Sequence, residues 1–214
     1  MSRAVSGRRG RLLIAFACGL ALTAAQPPVF AWPLVFLAVP VLVQLTFQSA
    51  RPQAFWTGWA AGFGFFLSGL HWIAEAFFVD AARHGWMAPF AVALMAGGLA
   101  LFWGAAAGAA RAAGARGWAA GLAWAAALAA AEYARSHILT GFPWALPAYA
   151  FAGSPIAQLS ALAGPHALGF AALALAAIPV AALRLRPAPA SWRGLALCAA
   201  LAAAGAAAAH LAGA

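Results

Sequence analysis

The sequence predicts an all-α fold, a polytopic transmembrane helix bundle of about seven spans, and three observations carry that prediction. Of 214 residues, 66% are hydrophobic and only 7% charged, where an ordinary globular domain has about a quarter charged. Apolar runs recur at lengths near the roughly 20 residues a helix needs to cross hydrocarbon. The arginines gather in alternate gaps between those runs, as loops on one side of a membrane require.

The runs follow one another in order. A basic segment, 1–11, precedes Leu12–Ala25, which is short for a crossing; its Arg-rich start and the small residues Thr23 and Ala25 before Gln26 also fit a cleaved signal peptide. Trp32–Gln48 comes next. Ala54–Val79, at 1.5 Å per residue, would reach about 39 Å and must tilt or project beyond a hydrocarbon core of about 30 Å. Met87–Ala110 and Trp118–Ala134 are the fourth and fifth spans. Ile156–Leu183 contains Gly164-Pro165-His166, where proline removes a backbone donor and kinks or breaks the helix; His166 is expected to bond a carbonyl freed there. Gly194–Gly213, mostly alanine, is the seventh.

With the amino terminus in the cytoplasm, Arg3, Arg8, Arg9, Arg11, Arg51, Arg111, Arg116, Arg184, Arg186 and Arg193 share one side, and only Arg83 and Arg135 face the other. Ten against two is a strong positive-inside bias. An odd number of crossings delivers Ala214 to the outer side. Cleavage of the first segment would leave six spans with the same exit, so the arginine pattern does not separate the two cases.

Composition also excludes chemistry. All twelve basic residues are arginine, so nothing in this sequence can serve as a neutral or Schiff-base lysine. A net charge of +9 would suit nucleic acid, but the arginines are spread over short loops with no soluble domain to carry a basic face. Cys18 and Cys198 sit inside apolar runs without partners at ligand spacing and read as small inert hydrophobes.

Polar and aromatic groups fall unevenly under this orientation. Glu75, Asp80, Arg83, His84, Trp86, Glu132, Tyr133, Arg135, His137, Trp144 and Tyr149 all map near the outer face. Ionisable groups near spans are costly and are usually paired or functional. His71 and Glu75, at i,i+4, are two metal-type ligands without a third and are expected to form a hydrogen-bonded pair lining a hydrated pocket. Glu132 and Arg135, at i,i+3, meet on one face and are expected to form a structural ion pair at a helix end. Beyond them, Gly141, Pro143 and Pro147 turn the chain sharply while Phe142, Trp144, Tyr149 and Phe151 make it apolar. A loop this greasy, about 136–155, fits an interfacial or re-entrant shelf against which acyl chains slide; an aromatic belt anchoring helix ends is the other reading. Gly58/Gly62, Gly104/Gly108 and Gly117/Gly121 are small-xxx-small pairs that let helices approach closely.

The stretch Glu132 to Tyr149, with its Thr140-Gly141-Phe142-Pro143-Trp144 block, read with Gly64-Phe65-Phe66-Leu67-Ser68-Gly69-Leu70-His71-Trp72-Ile73 and Gly164-Pro165-His166-Ala167-Leu168-Gly169-Phe170, resembles the amino-terminal membrane domain of bacterial apolipoprotein N-acyltransferases. The similarity runs through nearly the whole chain in order and spacing. One departure is Ala148, where that family commonly has glycine before the tyrosine. The resemblance favours retention of the first helix.

The resemblance implies a multi-pass protein of the bacterial cytoplasmic (inner) membrane, amino terminus cytoplasmic and carboxyl terminus extracytoplasmic. It implies a nitrilase-like domain outside that membrane, bearing a Glu-Lys-Cys constellation. The family moves an acyl chain from a phospholipid to that cysteine and then to the amino group of a diacylglyceryl-cysteine. The 214 residues, without lysine, are therefore expected to be catalytically silent alone: the membrane part of a truncated or fragmentary enzyme. No catalytic residue, metal or cofactor is assigned to them. Trp72, Glu75, Glu132, Arg135, Gly141, Phe142, Pro143, Trp144 and Tyr149 are the candidates for lipid or substrate access. The partners implied are a phospholipid acyl donor, membrane lipids and, through the missing domain, a diacylglyceryl-lipoprotein. Two other classes remain open, a small secondary transporter or permease and a non-catalytic membrane scaffold.

Overall fold

A computed structural model describes residues 7–138 and 140–182, with side chains through Pro179. Among the described residues the chain is all-helical, without a strand. Its helices in order are α1 (Arg8–Ala24), α2 (Val35–Gln48), α3 (Arg51–Gly69), the short α4 (Glu75–Phe78) and α5 (Ala81–His84), then α6 (Ala88–Ala112), α7 (Trp118–His137) and α8 (Ser160–Ala182). By length and composition, Ala81–Ala112 and Pro155–Pro179 suffice to cross a membrane, and the bent pair Arg51–Gly69 with His71–Phe78 makes a third if it counts as one span. The last expected span, Gly194–Gly213, lies outside the described residues, as does Cys198.

Contacts along the helices fix their directions. On α1 and α3 the register climbs together: Gly64 lies against Phe16, and Thr23 Oγ1 donates to the Phe65 carbonyl at 2.8 Å, so the two are parallel. Against α3, α6 runs antiparallel, with Gly58 beside Trp103 and Ala107 and Gly62 beside Ala100. Similarly, Gly121 meets Ala177 while Tyr133 meets His166, so α8 returns along α7. Arg111 Nε donates to the Ser49 carbonyl at 2.8 Å and ties the carboxyl ends of α2 and α6.

Close approach, more than side-chain bulk, sets the spacing. A Cβ at Gly58 would stand 2.4 Å from the Trp103 carbonyl oxygen, and one at Gly19 only 2.0 Å from that of Ala61. The α3/α6 and α1/α3 contacts are therefore backbone to backbone, as small residues permit in lipid. Of the expected glycine pairs, Gly58/Gly62 packs tightly, whereas Gly117 meets nothing and instead turns the chain at φ 58°. Around these contacts lies a core of Val39, Leu42, Val43, Phe65, Phe66, Trp103, Trp124 and Leu128, each at most 5% exposed.

Two expected rods are broken. Ala54–Val79 is not one tilted helix: α3 ends at Gly69 and the chain bends by 55° into His71–Phe78. Ser68 Oγ donates to the Gly64 carbonyl at 2.7 Å, and His71 Nδ1–H donates to the Ser68 carbonyl at 2.7 Å. The His71 ring thus takes the Ser68 carbonyl, which a continuing helix would have given to the N–H of Trp72, while Ser68 back-bonds within α3. The ring of His71 is consequently committed to Ser68, and the expected His71–Glu75 pair is not among the hydrogen bonds of the described residues; both side chains are exposed. In α8 the break is at Gly164, φ 80° and ψ 167°. Proline at 165 then begins the next helical segment, where its missing N–H costs nothing. His166 packs its ring against Tyr133 and His137, at 5.4 and 6.3 Å between centroids, rather than bonding a freed carbonyl.

Candidate functional site

Near the end of α7 the one ion pair among the described residues is sealed inside the bundle. Glu132 and Arg135 are each 2% exposed, so the ion pair expected at the helix end forms and is buried rather than open to solvent. Arg135 Nη2 reaches Glu132 Oε2 at 2.5 Å and its Nε reaches Oε1 at 3.3 Å, a forked contact that suits planar guanidinium to carboxylate. The indole Nε1 of Trp103, on α6, donates to Oε1 at 2.7 Å. Phe66, on α3, places its ring 5.0 Å from the guanidinium carbon, a cation–π contact. Burying two charges costs several kcal/mol per ion, roughly, unless every polar atom is satisfied. That condition holds: among the described residues no buried side-chain nitrogen or oxygen lacks a partner.

Arg135 also grips the loop that follows. Its Nη1 donates to the Phe142 carbonyl, while its own carbonyl accepts the Phe142 N–H at 3.1 Å. The chain doubles back between them through Gly141, at φ 72°, where a Cβ would come 2.4 Å from the Ser136 carbonyl oxygen. Only glycine fits that left-handed turn without strain. Further along, Gln26 Nε2, just past α1, donates to the Leu146 carbonyl at 2.9 Å, and the Tyr149 hydroxyl donates to the Pro143 carbonyl at 3.2 Å. Two 3-10 turns, Pro147–Phe151 and Pro155–Leu159, complete the connection to α8.

This loop is greasy on its open side and anchored on its closed side. Trp144 is 51% exposed, with its ring 5.4 Å from that of Phe142, and Tyr149 is partly exposed beside it. Phe151 turns inward instead, 3% exposed against Trp32, so it adds nothing to the open apolar face. Ala148 is buried against Gly169 and is not among the residues with positive φ; that conformation falls on Ala145, φ 56°.

The structure therefore gathers Glu132, Arg135, Gly141, Phe142, Pro143, Trp144 and Tyr149 into one unit. Trp72 and Glu75 belong to the separate exposed turn after α3, which approaches the loop where Gly69 faces Ala145. Three members of the unit escape sequence reasoning: Trp103, Phe66 and Gln26. Gln26 gives a faint signal as a lone amide between an apolar run and Pro27-Pro28. The other two are indistinguishable from filler until α3 and α6 are packed against α7. Cys18, buried on α1, faces the core and has no base beside it; among the described residues no group of three metal-type ligands forms.

An all-helical, strongly apolar bundle that anchors an apolar loop through a buried ion pair defines the class as a helical membrane domain. The chain belongs to the apolipoprotein N-acyltransferase N-terminal domain family, which matches residues 18–178. It is 45% identical over 170 residues to the apolipoprotein N-acyltransferase of Caulobacter vibrioides, covering 78% of this chain and 32% of that protein. The enzyme of the same name from Brucella suis is 38% identical over 181 residues, 80% of this chain and 34% of the relative. That of Rhodopseudomonas palustris is 36% identical over 146 residues, 65% and 27%. The chain thus spans about a third of the length of the curated relatives it matches.

Proposed function

We propose that these residues form the membrane domain of an enzyme that transfers an acyl chain from a phospholipid to the amino-terminal diacylglyceryl-cysteine of lipoproteins. Its tasks are anchoring, lateral lipid entry and presentation of the acyl donor to the catalytic groups. The domain sits in the bacterial inner membrane as seven spans with a cytoplasmic amino terminus; ten arginines against two support that orientation. Trp144, Phe142 and Tyr149 form the apolar shelf, Gly141 and Pro143 set its turn, and the Glu132–Arg135 pair holds it. Trp72 and Glu75 line the approach from the neighbouring turn. One observation carries the proposal: half of a tryptophan side chain is exposed on a loop whose backbone is gripped from both sides by a buried arginine. Such a surface is pre-organised, so an acyl chain that docks there orders little else.

A solute path through the bundle is less compatible with the interior. The cavity between Leu42, Thr46, Trp103 and Trp124 is about 10 Å³, room for no more than about one water. The buried ionisable pair, Glu132 and Arg135, is engaged by protein groups.

The test is Trp144→Ala in the whole enzyme, assayed for N-acylation of a lipoprotein in phospholipid vesicles. A drop of about 10- to 100-fold is expected, the scale at which misplacing a substrate acts, with the melting temperature unchanged. Full activity would remove the loop from the proposal.

A further inference from the structure

At the opposite end of the bundle from the loop, two cavities meet around the start of α1. One is an open apolar groove of about 470 Å³ between α1 and α3, lined by Leu12, Leu13, Phe16, Trp56, Trp59 and Phe63, with Arg8 and Arg9 at its mouth. The other, about 200 Å³, is polar and shares Arg8 and Trp56 while adding Arg11, Ser49 and Gln53. The aromatic wall is fixed: Trp59 and Phe63 stack at 5.1 Å and 6°, and Trp59 Nε1 donates to the Gly97 carbonyl at 3.0 Å. Leu13 and Trp56 are 69% and 42% exposed.

The charge here is one-signed. The only acidic residues in the chain are Glu75, Asp80 and Glu132; Glu132 is engaged by Arg135, and none of the three lines either cavity. Arg111 adds a further cation through its bond to the Ser49 carbonyl. Arg8, Arg9 and Arg11 moreover occupy the first turn of α1, which has no acidic residue and no side-chain cap. Cations are disfavoured at that end of the helix dipole, so an anion would relieve what the chain leaves unopposed.

We propose that this groove and its basic mouth form a site for an anionic phospholipid of the leaflet at the basic end. One acyl chain lies along Phe16, Trp59 and Phe63, and the phosphate sits among Arg8, Arg9 and Arg11. This is a structural lipid position, on the far side of the bundle from the acyl-donor shelf, and it stands whether or not the shelf acts as proposed above.

The full chain in nanodiscs carrying trace phosphatidylglycerol with a diazirine in its acyl chain, against a phosphatidylcholine background, tests this directly. Photolysis and peptide mapping should place adducts on residues 12–16 and 56–63, several-fold above those from diazirine-phosphatidylcholine. Arg8→Gln with Arg9→Gln should lower them by about fivefold per charge removed, while the control Arg51→Gln with Arg116→Gln, at the same end but outside the groove, should not. Equal labelling by the two lipids in the unsubstituted chain would overturn the proposal without reference to any variant. So would labelling that the groove and control substitutions lower alike, the mark of a diffuse surface charge.

Discussion

At the scale of single residues, Arg135 joins the most structure with one side chain. It neutralises Glu132, stacks on Phe66 and holds Phe142. Removing either charge strands the other in the interior, so Arg135→Gln or Glu132→Gln alone should cost about 3–5 kcal/mol, read by thermal unfolding in detergent. The paired replacement Glu132→Leu with Arg135→Met should cost less than either single change, because neither charge is then left unpaired. Yet it should still free the loop. Amide exchange at 140–146 should quicken in the double variant even where stability recovers, since the Phe142 carbonyl has lost its clamp. A double variant less stable than both singles would show that the pair is not self-compensating. The pairing itself is legible from i,i+3 spacing, but its burial is not, because burial depends on Trp103 and Phe66 arriving from other helices.

At the scale of elements, glycine decides where helices touch. Gly58 on α3 lies under the Trp103 carbonyl of α6, and Trp103 is also the donor to Glu132. A side chain at 58 therefore pushes the indole as well as the helix. Gly58→Val should destabilise by about 1–3 kcal/mol, the range for overpacking, whereas Gly98→Val on α6, with nothing within 4 Å of its Cβ position, should be close to neutral. Equal effects would mean that helix propensity, not close approach, governs both sites. Spacing in the sequence marks Gly58/Gly62 and Gly117/Gly121 alike, although only the first is a packing pair throughout. Likewise the apolar run Ala54–Val79 reads as one span. It bends by 55° after Gly69, where the His71 ring takes the Ser68 carbonyl, a local partnership invisible to hydropathy.

At the scale of the whole molecule, the two ends differ in kind. Arg8, Arg11, Ser49 and Gln53 surround one cavity, and at the other end the chain after α1 and the carboxyl end of α3 meet the loop after α7 at Leu146 and Ala145. Cysteine accessibility in intact cells tests the proposed orientation. Trp144→Cys should react with a membrane-impermeant maleimide from outside, and Ala113→Cys, exposed between α6 and α7, should react only after permeabilisation. The reverse pattern would invert the topology and remove the acyl-donor role proposed for the loop.

The residues by themselves determine that this chain is helical and lives in lipid, because composition leaves no alternative solvent for so apolar a surface, and they mark 132–149 as the segment unlike the rest. They also carry the family pattern, since Thr140 to Trp144 is a local string that needs no folding to be read. What only the folded chain decides is which polar groups are inside and which aromatics are out. Glu132 becomes interior when Trp103 crosses it, Phe151 turns to Trp32 while Trp144 stays open, and the arginines of α1 acquire a groove when α3 lies beside them. Those outcomes depend on contacts between segments tens of residues apart, and sequence periodicity reports only a residue's place on its own helix.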